Sequence, residues 1–166
     1  MIAAFYISAG MALVSSLLAI TRTNAIHALL YVIVSLLSVA TIFFLLGAPF
    51  AAALEVIIYA GAIMVLFVFV VMMISSGPNA NTREKEWMSI RIWTGPSVLA
   101  IILLVELFYI ISLSQSPALN SQIVGPKEVG LSLLGPYVMG IELSSLLLMA
   151  GLIGAYHLGK REKKEG

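Results

Sequence analysis

The sequence predicts an all-α integral membrane protein of five transmembrane helices, with the N-terminus periplasmic and the C-terminus cytoplasmic. Three observations carry that prediction. First, 61% of the 166 residues are hydrophobic and only 10% are charged, whereas a soluble domain carries about 45–50% and about 25%. So little charge cannot solvate a globule of this size, which leaves the bilayer as the solvent. Second, the apolar residues gather into five runs, each close to the roughly 20 residues that cross a hydrocarbon core. Third, the charge is sorted. In a five-span chain Arg22, Arg83, Lys85, Arg91, Lys160, Arg161, Lys163 and Lys164 fall on one side and only Lys127 on the other. The crowded side is cytoplasmic by the positive-inside rule.

The spans fall at about 2–20, 26–47, 51–74, 93–114 and 137–158 of a single membrane domain, followed by a charged tail over 159–166. All are helices, because lipid cannot satisfy an open backbone. The N-terminus lacks the basic stretch that opens a signal peptide and reads as the start of the first helix. Span 1 has small residues at Ser8, Ala12 and Ser16, and span 2 a polar stripe at His27, Tyr31, Ser35 and Ser38. Such faces associate inside a membrane. Between spans stand turn-formers: Arg22-Thr23-Asn24, Gly47-Ala48-Pro49, Ser75-Ser76-Gly77-Pro78 and Gly135-Pro136. Span 4 has no small residue between Ile101 and Ile111, so it is expected to sit apart from the others. Span 5 offers the small pairs Ala150/Gly154, Gly151/Ala155 and Ala155/Gly159. Trp87 and Trp93 flank span 4 as an interfacial belt.

Several function classes fall away. There is no cysteine and no aspartate, which removes thiolate metal sites, iron–sulfur ligation and an aspartyl protease pair. A net charge of +1 gives nucleic acid nothing to bind. His27 and His157 stand at the cytoplasmic ends of spans 2 and 5 without a third ligand, so no metal site is expected. Gly130-Leu131-Ser132 lacks the second glycine of a nucleophile elbow. Lipid is the expected surroundings, and the charged tail reads as a topological anchor that could also touch anionic headgroups.

The informative residues are the acids inside the spans: Glu55, Glu106 and Glu142. An acid at a helix centre costs about +3 kcal/mol on insertion scales, and each surrounding Leu, Ile, Val or Phe returns about 0.3–0.6 kcal/mol. Insertion is therefore affordable, but an intramembrane acid is a functional candidate by default. All three lie in the outer half of the bilayer in this topology. Glu55 and Tyr59 share a helix face at i, i+4, as a proton or water relay, or with Tyr59 simply a packed, hydrogen-bonded aromatic. Gly61 just beyond them gives backbone freedom for a hinge or π-bulge.

Residues 54–73 (LEVIIYAGAIMVLFVFVVMM) closely resemble the third helix of the J subunit family of proton-pumping NADH:quinone oxidoreductase, respiratory complex I. Residues 24–31 (NAIHALLY) resemble the start of that family's helix 2. Residues 134–137 (LGPY) and 142–148 (ELSSLLL) resemble its helix 5. The 75–92 loop, helix 4 and the 115–130 segment match only loosely, so Glu106 inherits no role. The resemblance implies a core subunit of a bacterial inner-membrane complex. It would pack among the quinone-site subunit, the small A- and K-type subunits and the antiporter-like subunits. It implies no cofactor on this chain, with NADH, FMN, iron–sulfur clusters and quinone used elsewhere in the complex. It further implies a π-bulge near residues 59–65 that gates a water path. On this reading Glu55, Tyr59, Gly61, Met64, Val65, Phe67 and Glu142 form the proton pathway or gate, and no residue is catalytic. The corresponding subunit of a membrane-bound hydrogenase or of a multisubunit cation/proton antiporter is the alternative. A small autonomous transporter is disfavoured because no inverted repeat is present.

Overall fold

A computed structural model describes residues 2–74, 90–113 and 123–160. Its regular elements among these residues are helices: α1 (Ile2–Thr21), α2 (Ala25–Leu45), α3 (Pro49–Ile74), α4 (Ile90–Leu113), α5 (Pro126–Leu134) and α6 (Val138–Gly159). Five of them, all but α5, are long and apolar enough to cross a membrane. The turn at Ser75–Pro78, the charged run Arg83–Glu86, Trp87 and the tail beyond Lys160 lie outside the described residues. The chain divides into two compact units, Met1–Val124 and Gly125–Gly166.

In the first unit α1 and α2 form an antiparallel pair. The α1 residues that are buried are Ala4, Ser8, Met11, Ser15 and Ala19. This seam mixes steps of four with one of three, as a helix of 3.6 residues per turn requires to keep one face on a neighbour. The Ser8/Ala12/Ser16 stripe read from the sequence therefore drifts off the contact, and Ser16 is exposed while Ser15 is buried. Asn24 caps α2, its side-chain oxygen accepting from the Ile26 and His27 amides at 3.0 and 3.4 Å. Farther along α2, three hydroxyls find acceptors. Ser35 Oγ donates across to the Ala12 carbonyl at 3.0 Å. Ser38 and Thr41 donate to the Val34 and Leu37 carbonyls of their own helix, at 2.8 and 3.0 Å.

The α2–α3 turn is a Schellman motif. Ala48 N–H donates to Phe43 O and Gly47 N–H to Phe44 O, at 3.0 and 3.1 Å. Gly47 takes φ 86°, a left-handed conformation that an L side chain resists. Pro49 then opens α3 at the first helical position, where its missing N–H costs nothing.

Span 4 does not sit apart. Leu103, Glu106 and Ile110 of α4 are buried, and Ile110 joins Ala4 and Leu45 in one cluster. Sequence reasoning sought small residues on α4 itself. The contact is made the other way round, with the small Ala4 and Ser8 of α1 receiving its bulk. Only Gly95 of α4 needs to be small, because the Tyr31 hydroxyl of α2 occupies the space of a Cβ there. Gly95 beside Tyr31 and Ile110 beside Leu45 set α4 parallel to α2 and antiparallel to α1.

In the second unit, part of the stretch between the fourth and fifth predicted spans is the helix α5. Pro126 occupies its first turn, and Gly125 N–H donates to the Glu128 carboxylate at 3.0 Å, half of a capping box. Gly135-Pro136 separates α5 from α6, and no residue of α6 is buried.

Candidate functional site

The third span is one continuous helix whose hydrogen-bond register changes midway. Pro49–Leu54 is α-helical, Glu55–Ile63 is π-helical over 9 residues, and Met64–Ile74 is α-helical again. The ladder records the slip directly. Glu55 N–H points to the carbonyls of Ala51 and Ala52, an α-type closure, while Met64 N–H points to Tyr59 and Gly61. The Met64-to-Tyr59 closure spans five residues, the π spacing, and π turns of this kind concentrate at functional sites.

The sequence at the slip suits a wide turn. Gly61 stands where a Cβ would come within 3.1 Å of the Val56 carbonyl, five residues back. A side chain would crowd the carbonyl that this register brings closest. Ala60 and Ala62 keep the flanking positions small, while Val56, Ile57 and Ile58 add β-branched bulk that costs helix propensity but not packing.

The structure distributes the candidate residues unevenly. Glu55, Tyr59 and Gly61 lie in the π segment. Met64, Val65 and Phe67 lie in the α-helical stretch that follows. Glu55 is partly buried and Tyr59 is 52% exposed. Among the described residues no hydrogen bond links the two. Met64 is buried against the rest of the unit, whereas Val65 and Phe67 are about half exposed. The helix thus presents one anchored side chain, Met64, with the half-exposed Tyr59, Val65 and Phe67 distributed around the rest of its circumference. Glu142 is exposed on α6 and belongs to the second unit. An apolar groove of about 590 Å³ runs between α2, α3 and α4, touching Val56 and Ile57 of the π segment. Thr41 is its single hydroxyl, and Glu55 does not line it. The groove is therefore separate from the polar residues of α3.

Two further groups stand out. At the α1–α2 turn the His27 and Tyr31 rings lie 5.0 Å apart and the Arg22 guanidinium sits 5.5 Å from the Tyr31 ring centre. No group of three or more His, Cys, Asp or Glu side chains able to hold a metal ion occurs among the described residues. The second group, Glu106 against Ser8 of α1, was invisible to sequence reasoning as a pair. Each was singled out alone, but 98 positions separate them and no local pattern links them.

Comparison with known proteins bears on the whole chain. The family model for NADH-ubiquinone/plastoquinone oxidoreductase chain 6 matches residues 15–158. A Pseudomonas aeruginosa protein named NADH-quinone oxidoreductase subunit J is 53% identical, over 98% of both chains. The Escherichia coli K12 protein of the same name is 48% identical over 96% of this chain and 87% of its own. That of Buchnera aphidicola from Schizaphis graminum is 46% identical over 96% and 98%. With the π segment and most of the helical span inside the matched residues, and relatives of about half identity covering nearly the whole chain, the chain belongs to the NADH-ubiquinone/plastoquinone oxidoreductase chain 6 family.

Proposed function

We propose that this chain is a membrane-arm subunit of a bacterial NADH-quinone oxidoreductase, in which its third helix gates proton translocation. The observation that carries the gate is the π segment Glu55–Ile63. A π turn and an α turn of the same residues differ by one hydrogen-bond step, which makes the segment a two-state element of the kind that switches use. Restoring the α register would turn everything beyond the segment by one residue, about 100° around the axis. Met64 would leave its buried position for a neighbour of similar bulk, Ile63 or Val65, so both registers can be packed. Val65 and Phe67, on different sides of the helix, would each turn to new surroundings, exchanging apolar side chains for water where they face outward. Glu55 then serves as a polar group at the mouth of the path.

On this reading NADH, FMN, iron–sulfur clusters and quinone are handled by other subunits, and this chain contributes the gate. Its partners are the quinone-site subunit, the A- and K-type small subunits and the antiporter-like subunits. The periplasmic N-terminus and inner-membrane location follow from the charge asymmetry across the spans.

Two experiments test the reading. A tagged chain extracted in mild detergent should co-elute with an NADH-oxidising, quinone-reducing assembly; recovery as a lone homo-oligomer would overturn it. Gly61→Val should leave that assembly intact and its electron transfer measurable while lowering proton uptake into proteoliposomes several-fold. Unchanged pumping, or loss of the assembly, would count against the gate.

A further inference from the structure

Glu106 is the acid that the family resemblance leaves without a role. It is only 8% exposed, on the face of α4 that meets α1. The fully buried Ser8 hydroxyl adjoins it. Neither carboxyl oxygen, nor Ser8 Oγ, completes a hydrogen bond of good geometry. An unpaired buried carboxylate is among the most costly groups a protein can carry, and such groups are paired or neutralised.

Among the described residues no charged side chain is paired with it. Tyr6 is the titratable side chain of α1 and is 69% exposed, on the helix face away from Ser8. On α2 the titratable groups are His27 and Tyr31. Tyr31 packs at Gly95, eleven residues along α4 from Glu106, and Arg22 lies with it. Glu55 and Tyr59 of α3 lie off the apolar groove that separates α3 from α4. Thr41 and Ser38 already donate to their own helix. What remains against it among the described residues of α1–α3 is one hydroxyl, which can both donate and accept and is free to rotate.

We propose that Glu106 and Ser8 form a buried proton-binding site between α1 and α4, one proton being held between carboxyl and hydroxyl. As a neutral acid Glu106 donates to Ser8 Oγ, or accepts from it through its carbonyl oxygen, after a small side-chain rotation. No counter-ion is needed. The site lies apart from the π segment and does not depend on the gating of α3.

The test uses the purified whole complex carrying wild-type chain, Glu106→Gln, Glu106→Leu, Ser8→Ala, or the last two together. The thermal midpoint of subunit loss is followed against pH. A glutamate that keeps its proton when folded and releases it when unfolded loses stability as pH rises above the ordinary carboxyl range. Wild type should therefore lose ground to Glu106→Gln progressively as the pH rises through and above the ordinary carboxyl range. Ser8→Ala should lower the midpoint when Glu106 is present and leave it unchanged beside Glu106→Leu. A gap between wild type and Glu106→Gln that is flat with pH, or that grows in favour of wild type, would overturn the proposal. So would an equal effect of Ser8→Ala in both backgrounds. Failure of both the Gln and Leu variants to assemble would show that the charge itself is required, and would overturn it too.

Discussion

Two glycines in the first unit are fixed by different physics, and each yields a distinct mutational signature. Gly47 is set by its own backbone: at φ 86° an alanine is strained wherever its side chain points, so Gly47→Ala should cost about 1 kcal/mol or more. Gly95 is set by a neighbour, since the Tyr31 hydroxyl fills the space a Cβ would need. Gly95→Ala should therefore lower the thermal midpoint of the complex, and Tyr31→Phe, which removes that hydroxyl, should recover part of the loss. Tyr31→Phe should give Gly47→Ala no relief. A rescue of both, or of neither, would show that the Tyr31 contact is not what limits position 95. The two cases also mark what a sequence reveals at this scale. Gly47 was legible because Gly-Ala-Pro between two apolar runs names its own turn. The need for glycine at 95 was not, because it arises from a side chain 64 positions earlier. The same non-locality hid the pairing of Glu106 with Ser8.

At the scale of elements, what the sequence stated well was what length and composition decide. The long apolar runs became the membrane-length helices, with Asn24 starting α2 where its cap chemistry predicts. Asn24→Ala should cost about 1 kcal/mol, read as a lower midpoint for the complex. Ser35→Ala should cost about 0.6 kcal/mol, the scale of an interhelical hydrogen bond in a membrane. Two elements were misjudged, each for its own reason. The helix α5 has only 9 residues, too few for a membrane-length window, although Gly125-Pro126 with Glu128 is a legible start signal. The packing of α4 was inverted because small-residue rules were applied to one helix, whereas close approach needs small residues on either partner. The π segment lies between these cases. A lone glycine hinted at it, and the resemblance placed a bulge near residues 59–65. The structure has the register change over Glu55–Ile63, starting earlier in the helix.

For the whole molecule, the absence of cysteine makes topology directly measurable. Thr23→Cys and Lys127→Cys, each introduced singly, should label on opposite sides. A membrane-impermeant maleimide should reach position 127 in spheroplasts and position 23 only after the membrane is opened. The reverse pattern would invert the proposed orientation. The π segment has a consequence at this scale as well, one of chain length. In a plain α-helical span, deleting one residue throws the rest of the helix out of phase with its neighbours by about 100°. The third span holds a residue beyond what a straight α ladder over the same path would use. Deleting Ala60 should let that ladder close while Met64–Ile74 keep their present azimuth against α2. A shortening that would cripple any other span would here produce a regular helix and an assembled complex, held permanently in one register.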